Sequence, residues 1–130
     1  MATRPQVRPL SPHLSIWRWR VHAITSITHR ITGNGMAIVG GALFTWWLVA
    51  AASGPDAYMT FLAVARGPIG VIVGIGLTWA IFQHAASGVR HLGMDTGAGL
   101  SIERSKLSAT LTWIFSIPAT AAFWLFVLLR

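Results

Sequence analysis

His84 lies within a run of 23 residues that carries no charge, between Arg66 and Arg90. An ionisable ring among apolar residues is expensive in a hydrocarbon medium, so a residue of this kind has a partner or a function. It precedes Arg90 by six residues, roughly 9 Å along a helix. Ser87 and Gly88 follow at i+3 and i+4 and keep the face beside the ring small, which a flat, bulky ligand requires. Two readings are open. His84 is a histidine hydrogen-bonded to a neighbouring helix, or a neutral imidazole that serves as an axial ligand to haem iron. His91 stands seven residues on, near the same face. About 10 Å of helix separates the two backbones, so both cannot ligate one iron, and a second ligand would come from elsewhere.

A second cluster is Ser26, His29 and Arg30, in Ser26-Ile27-Thr28-His29-Arg30. Spacings of three and four place these side chains on one helical face. A hydroxyl, an imidazole and a guanidinium converging at a lipid boundary can bind a carbonyl or a carboxylate. Arginine suits a haem propionate or a quinone oxygen through charge-assisted hydrogen bonds. The competing reading is an arginine that snorkels to lipid phosphate, with Ser26 as a helix cap.

The elements that must hold these residues follow from the charges. Residues 31–55, 67–89 and 107–129 are three runs without Asp, Glu, Lys or Arg. At 1.5 Å per residue, 23 residues span about 34 Å, enough for a hydrocarbon core of about 30 Å. Backbone amides in lipid must be satisfied within the segment, and none of the runs alternates with period two, so helices are predicted. The expected architecture is a single all-α integral membrane domain, residues 1–130. It has transmembrane helices at 31–52, 67–90 and 107–129, a loop at 53–66, and a cytoplasmic or interfacial segment over residues 1–30. Lys and Arg concentrate before the first span and in the 90–106 loop, which places the N-terminus and that loop on the cytoplasmic side. His84 and the Ser26 cluster then face the same side. Trp17, Trp19, Trp46, Trp47 and Trp124 sit near the expected interfaces, as an aromatic belt would. Residues 16–22 alternate in a way that suits the headgroup surface.

Composition excludes other classes. Only 10% of residues are charged against 54% hydrophobic, too few for the shell of a soluble domain of 130 residues. With no cysteine there are no disulfides, thiolate metal sites or iron–sulfur ligands. The net charge of +7 does not signal nucleic acid, because the ten basic residues stand at segment ends. The acids Asp56, Asp95 and Glu103 all fall in loops, against a proton-coupled transporter, which would place one inside a span. No Ser-His-Asp or paired-carboxylate arrangement is available for hydrolysis. The Gly-rich 93–99 loop lacks the lysine of a phosphate loop. Smaller expectations are that Asp95 pairs with Arg90 or caps a loop, that His13 and His22 lie at the surface, and that Pro118 kinks the third span. Gly70 and Gly74 form a small-xxx-small pair for helix contact. A cleaved presequence is disfavoured, since the Arg-rich N-terminal stretch runs directly into the first span.

Three stretches carry a family resemblance: Arg8-Pro9-Leu10-Ser11-Pro12-His13-Leu14; Ser26-Ile27-Thr28-His29-Arg30-Ile31-Thr32-Gly33; and His84-x-x-x-Gly88-x-Arg90-His91-Leu92-x-x-Asp95. Together they resemble the cytochrome b membrane-anchor subunits of succinate dehydrogenase (complex II), over nearly the whole chain; Trp17 stands where tyrosine is more usual. The resemblance implies a second three-span anchor as partner, one haem b shared between the two, and docking of an iron–sulfur subunit and a flavoprotein subunit. It implies His84 as haem ligand, Ser26 and Arg30 in the ubiquinone pocket, and His29 and Arg30 near the haem propionates. Succinate oxidation would then belong to the flavoprotein, with electrons passing to quinone here. The runner-up is the anchor of a quinol:fumarate reductase, and a non-haem membrane scaffold or transporter is a third class. The lack of a long presequence points to a bacterial inner membrane over a mitochondrial one.

Overall fold

The structure is a computed structural model that describes residues 17–130. The 8–14 motif and His13 lie outside the described residues. Four helices and no strand are present among those described. They are α1 (Val21–Ser53), α2 (Pro55–Arg66), α3 (Pro68–Asp95) and α4 (Ile102–Leu128). The long helices α1, α3 and α4 are each apolar and long enough to cross a membrane.

Helix ends follow local chemistry. Gly54, at φ +109°, terminates α1 in a conformation that disfavours any side chain. Pro55 then starts α2 at a position where its missing N–H costs nothing, and Asp56 complements the positive end of that helix. Gly67 and Pro68 repeat the stop and start before α3. The 53–66 stretch, expected as a loop, is therefore largely helical. Ser101 caps α4 by accepting from the Arg104 N–H at 3.4 Å. α4 stays helical through Pro118.

α1 begins at Val21, ten residues ahead of the uncharged run. Absence of charge reports the hydrocarbon thickness, whereas a helix extends past it into the headgroup zone. Ser26, His29 and Arg30 consequently lie within the early turns of α1, and Ser26 is not a cap; Arg20 occupies that position. Within α1 the residues Met36–Gly40 form a π-helical turn.

α3 is central and packs along α1 on one side and α4 on the other, while the first part of α1 also touches α4. The start of α1, the end of α3 and the start of α4 therefore share one end of the bundle. The interior is polar and small. Thr25, Thr32, Gln83, Ser87, Thr112, Ser116 and Thr120 are buried, and the only buried apolar residues among those described are Ala50, Ala80 and Ala109. Large apolar side chains such as Ile72, Phe115 and Leu125 face outward. This inverted pattern suits lipid, where helix association depends on close approach and interhelical hydrogen bonds.

Those bonds are specific. Gln83, 0% exposed, donates Nε2–H to Thr112 Oγ1 at 3.2 Å and accepts from Ser116 Oγ at 2.6 Å. Trp113 Nε1–H reaches across to Thr25 Oγ1 at 2.8 Å, and Trp124 Nε1–H to Thr78 Oγ1 at 3.2 Å. Trp124 thus binds the bundle rather than only marking an interface. Arg90 donates from Nε to Ser108 Oγ at 3.0 Å and from Nη2 to Ser105 Oγ at 2.9 Å. The alternative of an Arg90–Asp95 pair is not realised. Five residues along one helix point the two side chains apart, and the serines of α4 lie directly opposite.

Gly70 and Gly74 do not form one stripe. A Cβ on Gly70 would run into the Val64 and Ala65 carbonyls at the α2–α3 corner, whereas one on Gly74 would meet the Trp124 ring at 2.9 Å. One consequence for stability concerns Gln83. Replacing it with leucine removes two interhelical bonds and leaves the Thr112 and Ser116 hydroxyls only the carbonyls of their own helix. A loss of about 1–2 kcal/mol is expected, read as a lower thermal midpoint of the detergent-solubilised protein.

Candidate functional site

His84 sits on the face of α3 that meets α1, half-buried, and its ring is held from α1. Nδ1 lies 3.0 Å from the His29 carbonyl oxygen and 3.2 Å from Thr32 Oγ1. A carbonyl oxygen only accepts, so Nδ1 carries the proton in this bond. In the neutral ring, Nε2 then keeps its lone pair. Thr32 is 4% exposed. Its own hydroxyl reaches two carbonyls of α1, Thr28 at 2.8 Å and His29 at 3.0 Å; with the proton on the shorter bond, an Oγ1 lone pair faces Nδ1.

The His29 ring stacks on that of His84, with centroids 3.8 Å apart and planes 12° from parallel. His91 lies next to it, 5.1 Å from the His29 centroid and tilted by 53°. Three imidazoles thus gather at one end of the α1–α3 interface. Gly33 makes the approach possible: a Cβ there would lie 2.8 Å from His84 Cε1, so any larger residue would push the ring away. Gly88 is less constrained: a Cβ there would make only ordinary contact with His29 Cε1, at 3.8 Å.

The structure brings His29 and His84 together, while Ser26 and Arg30 stand on α1 beside them. Ser26 is half-buried and Arg30 exposed, and neither bonds to either imidazole among the described residues. His22, expected at the surface, is half-buried, and its Nδ1 is enclosed without a partner among the described residues. Nδ1 of His29 and the hydroxyl of Ser87 are enclosed and unpaired in the same sense. Buried polar atoms are normally bonded, so orphans beside His84 mark a place where polar contacts remain to be made.

A shallow groove runs between α1 and α3 beside Thr32, bordered by Gly35, Gly76 and Ala80 and by the larger Ile31, Val39, Val73, Leu77 and Trp79. Cβ positions on Gly35 and Gly76 meet nothing within 4 Å. The three imidazoles are not placed to hold one metal ion together, and no other set of three metal-ligating side chains is so placed among the described residues. A lone imidazole with a fixed Nδ1–H suits a metal that brings its remaining ligands with it, as in a porphyrin. The donor set therefore fits one side of a haem.

Thr32 is the contributor that side-chain spacing overlooks. The only signal is its place three residues after His29, one turn along the same face.

The family described as succinate dehydrogenase/fumarate reductase transmembrane subunit matches residues 4–125. The chain belongs to that family. Among curated proteins it is similar to the succinate dehydrogenase cytochrome b556 subunit of Paracoccus denitrificans, 46% identical over 102 residues, 78% of either chain. It is 32% identical to the cytochrome b556 subunit of Rickettsia felis over 117 residues, 90% of either chain. It is also 32% identical to the mitochondrial cytochrome b560 subunit of Mus musculus, over 85% of this chain and 66% of the mouse protein. Ser26, His29, Arg30 and His84 all lie within the span that matches the succinate dehydrogenase/fumarate reductase family. Family members are transmembrane subunits, in agreement with three apolar helices whose bulky side chains face outward.

Proposed function

We propose that this chain is the haem- and quinone-binding anchor of a succinate:quinone oxidoreductase. The observation that carries the proposal is His84: an imidazole in an apolar helix, its Nδ1–H held by the His29 carbonyl and Thr32, with small residues alongside. His84 would hold the iron of haem b, shared with a second anchor subunit, through its free ring nitrogen, and His29 and Arg30 would hold the propionates. The flavoprotein and iron–sulfur subunits dock at the end of the bundle that carries the start of α1 and the α3–α4 connection. The family membership and the names of the relatives support these assignments.

A bound haem b supplies one-electron storage next to the quinone. The rest is done by side chains of this chain. Reduction of ubiquinone to quinol takes up two electrons, delivered from the iron–sulfur subunit, and two protons. Arg30 is always charged and exposed on α1. It hydrogen-bonds a quinone oxygen and offsets the negative charge that builds there. Ser26, one turn earlier, binds the headgroup through its hydroxyl and passes protons from interfacial water. Succinate is oxidised in the flavoprotein and never reaches this chain.

The excess of Lys and Arg before α1 and at the adjoining ends of α3 and α4 (Arg90, Arg104 and Lys106) supports a cytoplasmic site in a bacterial inner membrane. The family description covers both succinate and fumarate enzymes, and the relatives described above are named for succinate dehydrogenase, which favours that direction. The test is a dithionite-reduced minus oxidised spectrum of the chain co-expressed with its three partner subunits. A b-type band is expected. An assembled four-subunit complex without one would overturn the haem assignment.

A further inference from the structure

We infer that Thr32 is a positioning residue for the His84 imidazole, setting its tautomer, its orientation and its strength as a donor. This rests on the reading of His84 as an iron ligand and deepens it. The Thr32 side chain is almost wholly buried, so its hydroxyl acts without competition from water. The hydroxyl has two carbonyl acceptors on α1, Thr28 at 2.8 Å and His29 at 3.0 Å; with its proton on the shorter bond, an oxygen lone pair faces His84 Nδ1 at 3.2 Å. The His29 carbonyl is the second acceptor, at 3.0 Å. Nδ1–H is thus shared between two oxygens of α1 that lie 3.0 Å from each other.

Two acceptors on one N–H do two things. They fix the rotation of the ring about its own axis, where a single bond would allow a swing. They also draw the proton away from the ring, making Nε2 more basic and favouring the oxidised over the reduced iron. The hydroxyl of Thr32 is the adjustable half, since the other acceptor is backbone and no substitution removes it.

The experiment uses the four-subunit complex with Thr32→Val, which keeps the shape and deletes the hydroxyl, and Thr32→Ser, which keeps the hydroxyl. Haem content, the haem midpoint potential and the ferric EPR signal are measured for both. Thr32→Val should retain haem, raise the potential and displace the EPR signal, and Thr32→Ser should return both to the wild-type values. An unshifted potential and EPR signal in Thr32→Val would overturn the inference, as would equal shifts in the two variants. Should Thr32→Val fail to assemble, pulsed EPR on the wild-type complex decides. A quadrupole coupling of the remote imidazole nitrogen typical of a strongly bonded N–H is expected, and that of an unbonded one would overturn it. His84→Ala separates the two levels. A b-type signal that survives His84→Ala sinks the ligand assignment itself and this inference with it. A lost signal there, beside an unchanged Thr32→Val, sinks only the role of Thr32.

Discussion

Replacing His84 with alanine is expected to abolish the b-type band of the assembled complex. Among the described residues, the ring is the one imidazole whose Nδ1–H is fixed by a carbonyl acceptor. Loss of a partner behind a metal ligand costs about 10–100-fold in affinity, and loss of the ligand itself exceeds that. Haem content in purified complex should therefore fall at least about tenfold. The vacated volume lies against Gly33 and beneath the His29 ring, and alanine fits there without a clash. The four subunits should still co-purify. A normal band with normal assembly would remove His84 from the ligand set, leaving His29 and His91 as the imidazoles to examine.

The second large effect is expected at Arg30. In Arg30→Ala the oxygen of the bound quinone loses its cationic donor at the moment that charge develops on it. Removing one such donor costs on the order of a hundredfold in rate. Succinate:quinone activity should fall by that factor, while succinate oxidation with a soluble artificial acceptor stays near wild type, because the flavoprotein is untouched. Arg30→Lys should recover part of the activity, since it restores the charge without the planar fork. Ser26→Ala should lose less, about tenfold, as expected for one neutral hydrogen bond. Equal loss with both acceptors would point to a docking defect and overturn the placement of the quinone at this pair.

Much of this arrangement was legible in the residues alone, and the rest escaped for identifiable reasons. Three uncharged runs announce three spans because burying a charge in lipid is so costly. The same criterion is blind to where a helix ends, so α1 starts at Val21 rather than at residue 31. The helix α2 was hidden because its Tyr58, Thr60 and Arg66 read as a polar connection; the Gly54-Pro55-Asp56 start signal was its one trace. Side-chain spacing brought Ser26, His29 and Arg30 onto one face and His84 to the same side. It could not show His29 stacked on His84, since that depends on how α1 and α3 approach, which Gly33 governs. The backbone carbonyl of His29 is invisible to any motif, and Thr32 reads as an unremarkable helix residue until its oxygen is seen beside Nδ1. Gln83 was overlooked for a different reason. An uncharged amide passes a charge count, although in lipid it needs partners almost as urgently as a charge does.

The π-helical turn at Met36–Gly40 has a mechanical corollary. Before it, α1 is clasped to α3 and α4; after it, α1 leans on α2 instead. Between the diverging arms, Trp46, Phe61, Leu77 and Trp124 surround an apolar void of about 310 Å³. The molecule is built like a clothes peg, its jaws closed on the histidines and its handles apart. A change of packing beside Trp46 and Trp124 is expected to bend α1 at this turn before it reaches the imidazoles.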